Sequence, residues 1–110
     1  MTIDFTVRPA EDYTVLHFDI GHSVLAPDQL REIELPDELM GRRDRGLVIS
    51  GRGPVWLYGH LLHCAHAFAW VATYDPRLNG AVVVANHVAG GPETGSLVPV
   101  QFNEMEGDQT

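Results

Sequence analysis

The sequence contains no lysine and a single cysteine, Cys64, among its 110 residues. One cysteine excludes an internal disulfide and a cysteine-rich zinc site, and it favours a cytoplasmic protein. Acidic residues outnumber basic ones and give a net charge of −8. This charge argues against sequence-independent binding to duplex DNA, which needs many basic contacts to phosphates. All seven cations are arginines, the residue type that binds phosphate through paired hydrogen bonds.

Long apolar runs are also missing. No stretch reaches the roughly 18 apolar residues that a membrane-spanning helix requires, so no contact with a membrane is predicted. The N-terminus lacks a basic segment followed by an apolar one, so no signal peptide is predicted. The length fits one domain. We expect residues 1–102 to form a single nucleotide-binding domain and residues 103–110 to form a flexible C-terminal tail.

The first half of the chain predicts a β-hairpin, a short helix and a loop. Apolar and polar residues alternate over residues 2–8, and a second strand-like run at residues 13–20 follows a turn. This pattern predicts two paired strands. A short helix is expected to begin near Pro27. The charged stretch at residues 36–45 is expected to be a loop and the least ordered internal segment.

The second half of the chain predicts a strand, a helix and further strands. The predicted elements are a strand at 47–50, a helix at 54–66, and strands at 68–74, 81–87 and 96–102. A strand–helix–strand unit of this length implies parallel pairing through a right-handed connection. The order predicts an α/β fold, a minimal Rossmann-like mixed sheet with one main crossover helix and flanking β-hairpins. A ferredoxin-like α+β fold is the alternative.

Two glycines flank an arginine where the predicted strand at 47–50 meets the helix, in the turn Ser50-Gly51-Arg52-Gly53. A helix start leaves unpaired N–H groups and a partial positive charge, which favour an anion such as phosphate. In open α/β sheets, ligands bind beyond the carboxyl ends of parallel strands, where this turn lies. The turn therefore predicts an anion site, and a plain strand-to-helix connection is the alternative.

A second polar turn contains Asp75 and Arg77 on either side of Pro76. The carboxylate can hold a divalent cation or orient a base, and the guanidinium can neutralise a phosphoryl oxygen in a transition state. An ordinary hairpin turn is the alternative. His87, at the end of the following strand, either lies at the same edge of the sheet as Asp75 and Arg77 or caps that strand.

Three histidines, His60, His63 and His66, recur every third residue along the predicted helix. Their directions diverge, so all three cannot point into one site. We expect His60 and His63 to be core or interface residues. His66 lies at the helix C-terminus, where the helix dipole favours a cationic imidazole. His63 and His66 both stay open as the reactive histidine.

Residues 49–57 and 71–84 together resemble the small CRISPR-associated ring nuclease of type III systems. A weaker resemblance extends to residues 16–18 and 31–36, so most of residues 2–100 are covered in the same order. That family is similar to the CRISPR-associated Rossmann-fold sensors.

The resemblance implies a manganese-assisted phosphodiesterase that degrades cyclic tetra-adenylate, the second messenger of type III systems. It implies a homodimer, and two dimers that sandwich the ring, with binding groups from one and catalytic groups from the other. The site residues that it implies are His66, Asp75 and Arg77 for catalysis, Asp75 for the metal, and Ser50, Gly51, Arg52, Gly53 and His87 for the nucleotide.

Other functions stay open. The domain can be a binding module that senses cyclic oligoadenylate without cutting it, and the single confident carboxylate, Asp75, favours that reading. It can be a 3′ RNA exonuclease that acts on short adenylate RNA. A purely structural, oligomerising domain is a further alternative.

Overall fold

A computed structural model describes residues 3–22 and 24–100. The predicted tail at 103–110, and the last two residues of the predicted final strand, lie outside the described residues. The described part contains six strands and three helical segments. The strands are β1 (Asp4–Pro9), β2 (Tyr13–Asp19), β3 (Gly46–Gly51), β4 (Trp70–Asp75), β5 (Gly80–Asn86) and β6 (Leu97–Pro99), and the helical segments are α1 (Val55–Cys64) and 3-10 helices at Pro27–Glu32 and Asp37–Arg42.

The strands form one mixed sheet in the order β1-β2-β3-β4-β5-β6. The central strands β2, β3 and β4 run parallel to one another, while β1, β5 and β6 pair antiparallel with their neighbours. The predicted α/β class and the parallel pairing across the helix are therefore confirmed. Because β3 and β4 are direct neighbours, the sheet lacks the inserted strand of a ferredoxin-like split βαβ unit.

Helix α1 and both 3-10 helices cover one face of the sheet. Leu57 and Leu61 of α1 are fully buried against Leu16, Ile49 and Val71 of the central strands. Burying a leucine of this kind contributes about 1.5–3 kcal/mol. Both parallel connections therefore pack on the same face and leave the carboxyl ends of β2, β3 and β4 side by side.

The segment at residues 36–45 is not a loop throughout, and that prediction was wrong. It contains the 3-10 helix Asp37–Arg42, and Leu39 within it is fully buried in the main core. Charged residues surround Leu39, so the sequence pattern favours a loop and does not reveal that Leu39 is buried. Leu39 and the hydrogen bonds from the Ala69 N–H to the carbonyl oxygens of Arg43 and Arg45 hold this segment in place.

The opposite face of the sheet carries a smaller apolar cluster, in which Val15, Val48 and Val83 are buried with Trp70. Side chains alternate between the faces of a strand, so His17 and Ser50 lie on this face near the carboxyl ends of β2 and β3. Among the described residues, no helix has the length and apolar character needed to span a bilayer.

Candidate functional site

An open pocket of about 810 Å³ lies at the carboxyl ends of β2, β3 and β4. The four residues of the predicted anion-binding turn, Ser50, Gly51, Arg52 and Gly53, all line it. His17 and Tyr74 line it from the neighbouring strands. The pocket lies where open α/β sheets bind their ligands.

The turn is shaped by close packing around Gly51. Its φ of +143° is a backbone conformation that side chains rarely adopt, and a Cβ there would collide with the carbonyl and ring of Phe18. A Cβ at Gly53 would approach the same ring to 2.9 Å. The Tyr58 hydroxyl donates to the Gly51 carbonyl oxygen at 2.7 Å. Two glycines are therefore required for Phe18 and Tyr58 to hold the turn.

The pocket lining contains the guanidinium of Arg52 and the carboxylate of Asp19, and the N-terminus of α1 lies next to it. Helix α1 begins at Val55, directly after the turn, and has ten residues. Its first turn, which is fully described, has no acidic residue, and no side chain caps it. Arg52 is exposed beside it. The helix dipole and the guanidinium together favour an anion at this point.

His17 and Ser50 form a hydrogen-bonded pair within the pocket. They stand opposite each other in the register of β2 and β3, and His17 Nδ1 lies 3.1 Å from Ser50 Oγ. Ser50 is almost completely buried, at 4% exposure. His17 was not among the site residues predicted from the sequence. Alternation along β2 sets the face of the sheet on which it lies, but its place beside Ser50 depends on the pairing of β2 with β3.

Asp75 and Arg77 form a compact ion pair at the end of β4. Arg77 donates its backbone N–H to Asp75 Oδ1 at 2.9 Å, its Nε to the same oxygen at 3.3 Å, and its Nη2 to Oδ2 at 3.1 Å. The hydrogen bonds from the Arg77 side chain lower the pKa of Asp75 below its ordinary value. The guanidinium is largely exposed, and its other N–H groups can reach a phosphoryl oxygen.

The turns that contain Arg52 and Arg77 lie at the same edge of the sheet. Arg52 lines the pocket directly, and Pro76, the residue before Arg77, lines its other side. The parallel register aligns Ile49 with Thr73, so β3 and β4 end next to each other. The structure therefore brings Arg52, Asp75 and Arg77 to one end of the sheet.

His66 and His87 lie at the opposite end of the sheet. His66 precedes β4, whereas Asp75 ends it, and the strand between them spans roughly 17 Å. His87 donates its backbone N–H to Ala69 at 2.9 Å and its Nδ1 to the Phe68 carbonyl at 2.8 Å, just before β4 begins. One copy of the chain therefore does not bring His66 or His87 next to Asp75.

A backbone hydrogen bond fixes the tautomer of His66. Its Nδ1 lies 3.0 Å from the His63 carbonyl oxygen, which can only accept, so Nδ1 carries the hydrogen. In the neutral ring Nε2 is then the basic nitrogen, and the side chain is exposed. The His63 ring stacks beside it, with centroids 6.0 Å apart. This geometry suits His66 to accept a proton.

His60 and Cys64 belong to the packing of α1. His60 Nε2 donates to the Ile33 carbonyl at 2.9 Å and ties α1 to the segment after the first 3-10 helix. Cys64 Sγ lies 3.6 Å from the same nitrogen. Burial, with a smaller contribution from Glu34, raises the pKa of the Cys64 thiol. A thiol held in the neutral form is a poor nucleophile.

Among the described residues of one copy, no group of three or more His, Cys, Asp or Glu side chains could hold a metal ion. Both oxygens of Asp75 are already bonded to Arg77. Within residues 3–22 and 24–100, one copy therefore does not supply a complete set of manganese ligands.

Comparison with known proteins gives the family. The family model of CRISPR-associated protein (Cas_csx3) matches residues 19–98. The chain belongs to this family. It is also 41% identical to an uncharacterized protein of Aquifex aeolicus (strain VF5) over 78 residues. These residues make up 70% of this chain and 69% of that protein. The Cas_csx3 match includes Arg52 and Arg77 and indicates a CRISPR-associated role.

Proposed function

We propose that this Cas_csx3 protein is a ring nuclease, an RNA phosphodiesterase that degrades cyclic tetra-adenylate and so ends type III CRISPR signalling. The observation that carries the proposal is the pocket at the carboxyl ends of the parallel strands, with Arg52 and the α1 N-terminus on one side and the Asp75–Arg77 pair beside it. We also propose that the mixed sheet is a minimal Rossmann-like fold, because its three central strands are parallel and have the pocket at their carboxyl ends.

The residues divide into binding and catalytic groups. Ser50, Gly51, Arg52 and Gly53 hold a phosphate of the ring through backbone N–H groups and the guanidinium. Arg77 neutralises charge on the scissile phosphate, and Asp75 fixes the direction of its guanidinium. The basic Nε2 of His66 takes the proton of the ribose 2′-hydroxyl as that oxygen bonds to phosphorus. The bond from phosphorus to the 5′-oxygen of the next nucleotide breaks, this oxygen takes a proton from water, and a 2′,3′-cyclic phosphate remains.

These groups can meet only between copies. Because β4 separates His66 from Asp75, a complete catalytic set takes His66 from one copy and Asp75 with Arg77 from another. A ring of four nucleotides presents repeated phosphates that symmetry-related copies can contact in matched positions. We therefore propose a homodimer, and two dimers that sandwich the ring. His87 lies at the same end of the sheet as His66, and we propose that it contacts the nucleotide there.

Manganese stays part of the proposal as an assisting ion, with Asp75 as the ligand from one copy. When bound, such an ion supplies positive charge to phosphate oxygens. We expect cleavage to fall after treatment with a chelator and to return when manganese is added. Unchanged cleavage in chelator would remove the ion from the proposal.

The proposal is tested by incubating the protein with cyclic tetra-adenylate and measuring cleavage and affinity separately. Asp75→Ala and His66→Ala are expected to lose cleavage and keep binding, while Arg52→Ala is expected to weaken binding more than cleavage of bound ligand. Cleavage by both Asp75→Ala and His66→Ala at the wild-type rate would contradict the assigned roles.

A second candidate, a sensor that binds cyclic oligoadenylate without cutting it, is favoured by one observation. The binding turn is complete in one copy, while the catalytic residues are not together. Tight binding with no product under any divalent metal would favour the sensor. Removal of adenylates from linear RNA, with rings left intact, would favour the 3′ exonuclease.

A further inference from the structure

The side chains of His17 and Ser50 form a hydrogen-bonded pair that has no part in the catalysis proposed above, where Ser50 enters only through its backbone. The bond between His17 Nδ1 and Ser50 Oγ leaves Nε2 as the other ring nitrogen. The bond to Ser50 does not use Nε2. Because His17 lines the pocket, a molecule bound there lies beside its ring.

His17 lies one strand spacing from the anion-binding turn. Ser50 is the first residue of the turn, and His17 is its partner on β2, about 4.8 Å away across the sheet. In a nucleotide, the sugar is bonded directly to the phosphate. A phosphate held by Arg52 and the α1 N-terminus therefore has its own ribose within reach of the His17 ring.

The 2′-hydroxyl is the ligand group that suits this nitrogen in both tautomers. If Ser50 Oγ donates to Nδ1, then Nε2 carries the hydrogen and is a donor. If Ser50 Oγ accepts from Nδ1, then Nε2 is an acceptor. A 2′-hydroxyl both donates and accepts, whereas a phosphate oxygen only accepts. We propose that His17, oriented by Ser50, contacts the ribose 2′-hydroxyl of the bound adenylate and makes the pocket select RNA over DNA; this rests on the proposed adenylate ligand.

The test compares the affinities of linear tetra-riboadenylate and tetra-deoxyadenylate in chelator, so that turnover does not interfere. The wild-type protein is expected to bind the ribose form about threefold to tenfold more tightly, the range of one hydrogen bond. An asparagine amide can take the place of Nδ1 and keep the bond to Ser50, but it does not reach as far as Nε2. His17→Asn should therefore bring the affinity ratio close to one with unchanged thermal stability.

A conservative variant and a control complete the design. A glutamine amide can take the place of Nε2, so His17→Gln should recover part of the preference for ribose. Arg45→Gln places the same amide at an exposed position outside the pocket and should leave the ratio unchanged. A wild-type ratio in His17→Asn would overturn the inference alone. Failure of the wild-type protein to bind either adenylate would overturn it together with the proposed function.

Discussion

The Tyr58 hydroxyl donates to the Gly51 carbonyl oxygen at 2.7 Å, so α1 is tied directly to the turn that precedes it. Phe18 of β2 packs edge-to-face against the Tyr58 ring, with centroids 5.3 Å apart, and fills the space that the two glycines leave. Burial raises the pKa of Tyr58, so its hydroxyl stays protonated and remains a donor at neutral pH. The shape of the pocket therefore depends on a tyrosine outside it.

Tyr58→Phe should reshape the turn because the Gly51 carbonyl loses its partner. We expect the free energy of unfolding to fall by about 1 kcal/mol and adenylate affinity to fall several-fold. Tyr13→Phe is the matched control, since it removes a 3.3 Å bond to the Pro99 carbonyl away from the pocket. Denaturant unfolding and ligand titration measure both effects. Equal losses of affinity in the two variants would contradict a specific role for Tyr58.

Gly51→Ala should destabilise the protein by about 1–3 kcal/mol, because the new Cβ would meet the Phe18 backbone in a strained conformation. Gly59→Ala is the opposite case. Gly59 lies within α1, and a Cβ there meets no atom within 4 Å. That change should stabilise the protein by about 0.5–1 kcal/mol. Thermal unfolding compares the two variants. Wild-type stability in Gly51→Ala would refute the close packing of Gly51 against Phe18.

Arg77→Gln should raise the pKa of Asp75 towards its ordinary value, because the side-chain hydrogen bonds that lower it are lost. The folded-state pKa lies below the unfolded value. The contribution to stability is therefore present at neutral pH and is lost as the pH falls below about 4. Carboxyl-carbon NMR titration measures the change. Arg45→Gln should leave Asp75 unaffected, since Arg45 pairs with Asp44 instead.

Leu39→Ala should cost about 2–5 kcal/mol of unfolding free energy, the range for truncating a buried leucine. The adjacent Met40 is 41% exposed, so Met40→Ala should cost less than about 0.5 kcal/mol. Chemical denaturation separates the two. A small effect at Leu39 would mean that the 3-10 helix Asp37–Arg42 is not anchored in the core.

Patterns within short segments carried most of the fold. Alternation over β1 and β2 predicted the hairpin, and the strand–helix–strand unit predicted the parallel pair β3 and β4. The tight turn before α1 was also predictable, because glycine on both sides of Arg52 permits both the close packing and the helix start, while anion binding by this turn stays a prediction. These features depend on neighbouring residues and on well-defined periodicities.

Features that depend on distant partners were not predictable in the same way. Leu39 is anchored by a core built from other segments, and His17 reaches the pocket only because β2 pairs with β3. The separation of His66 from Asp75 does have a signal in the sequence. A predicted strand lies between them, and an extended strand holds its two ends apart.

Mixing two inactive variants tests the central claim, that one copy supplies His66 and another supplies Asp75 and Arg77. His66→Ala and Asp75→Ala should each fail to cleave cyclic tetra-adenylate. An equimolar mixture that exchanges subunits should regain about a quarter of the wild-type activity, because half the pairs are mixed and each has one complete site. No activity in the mixture, with exchange confirmed, would contradict a site shared between copies.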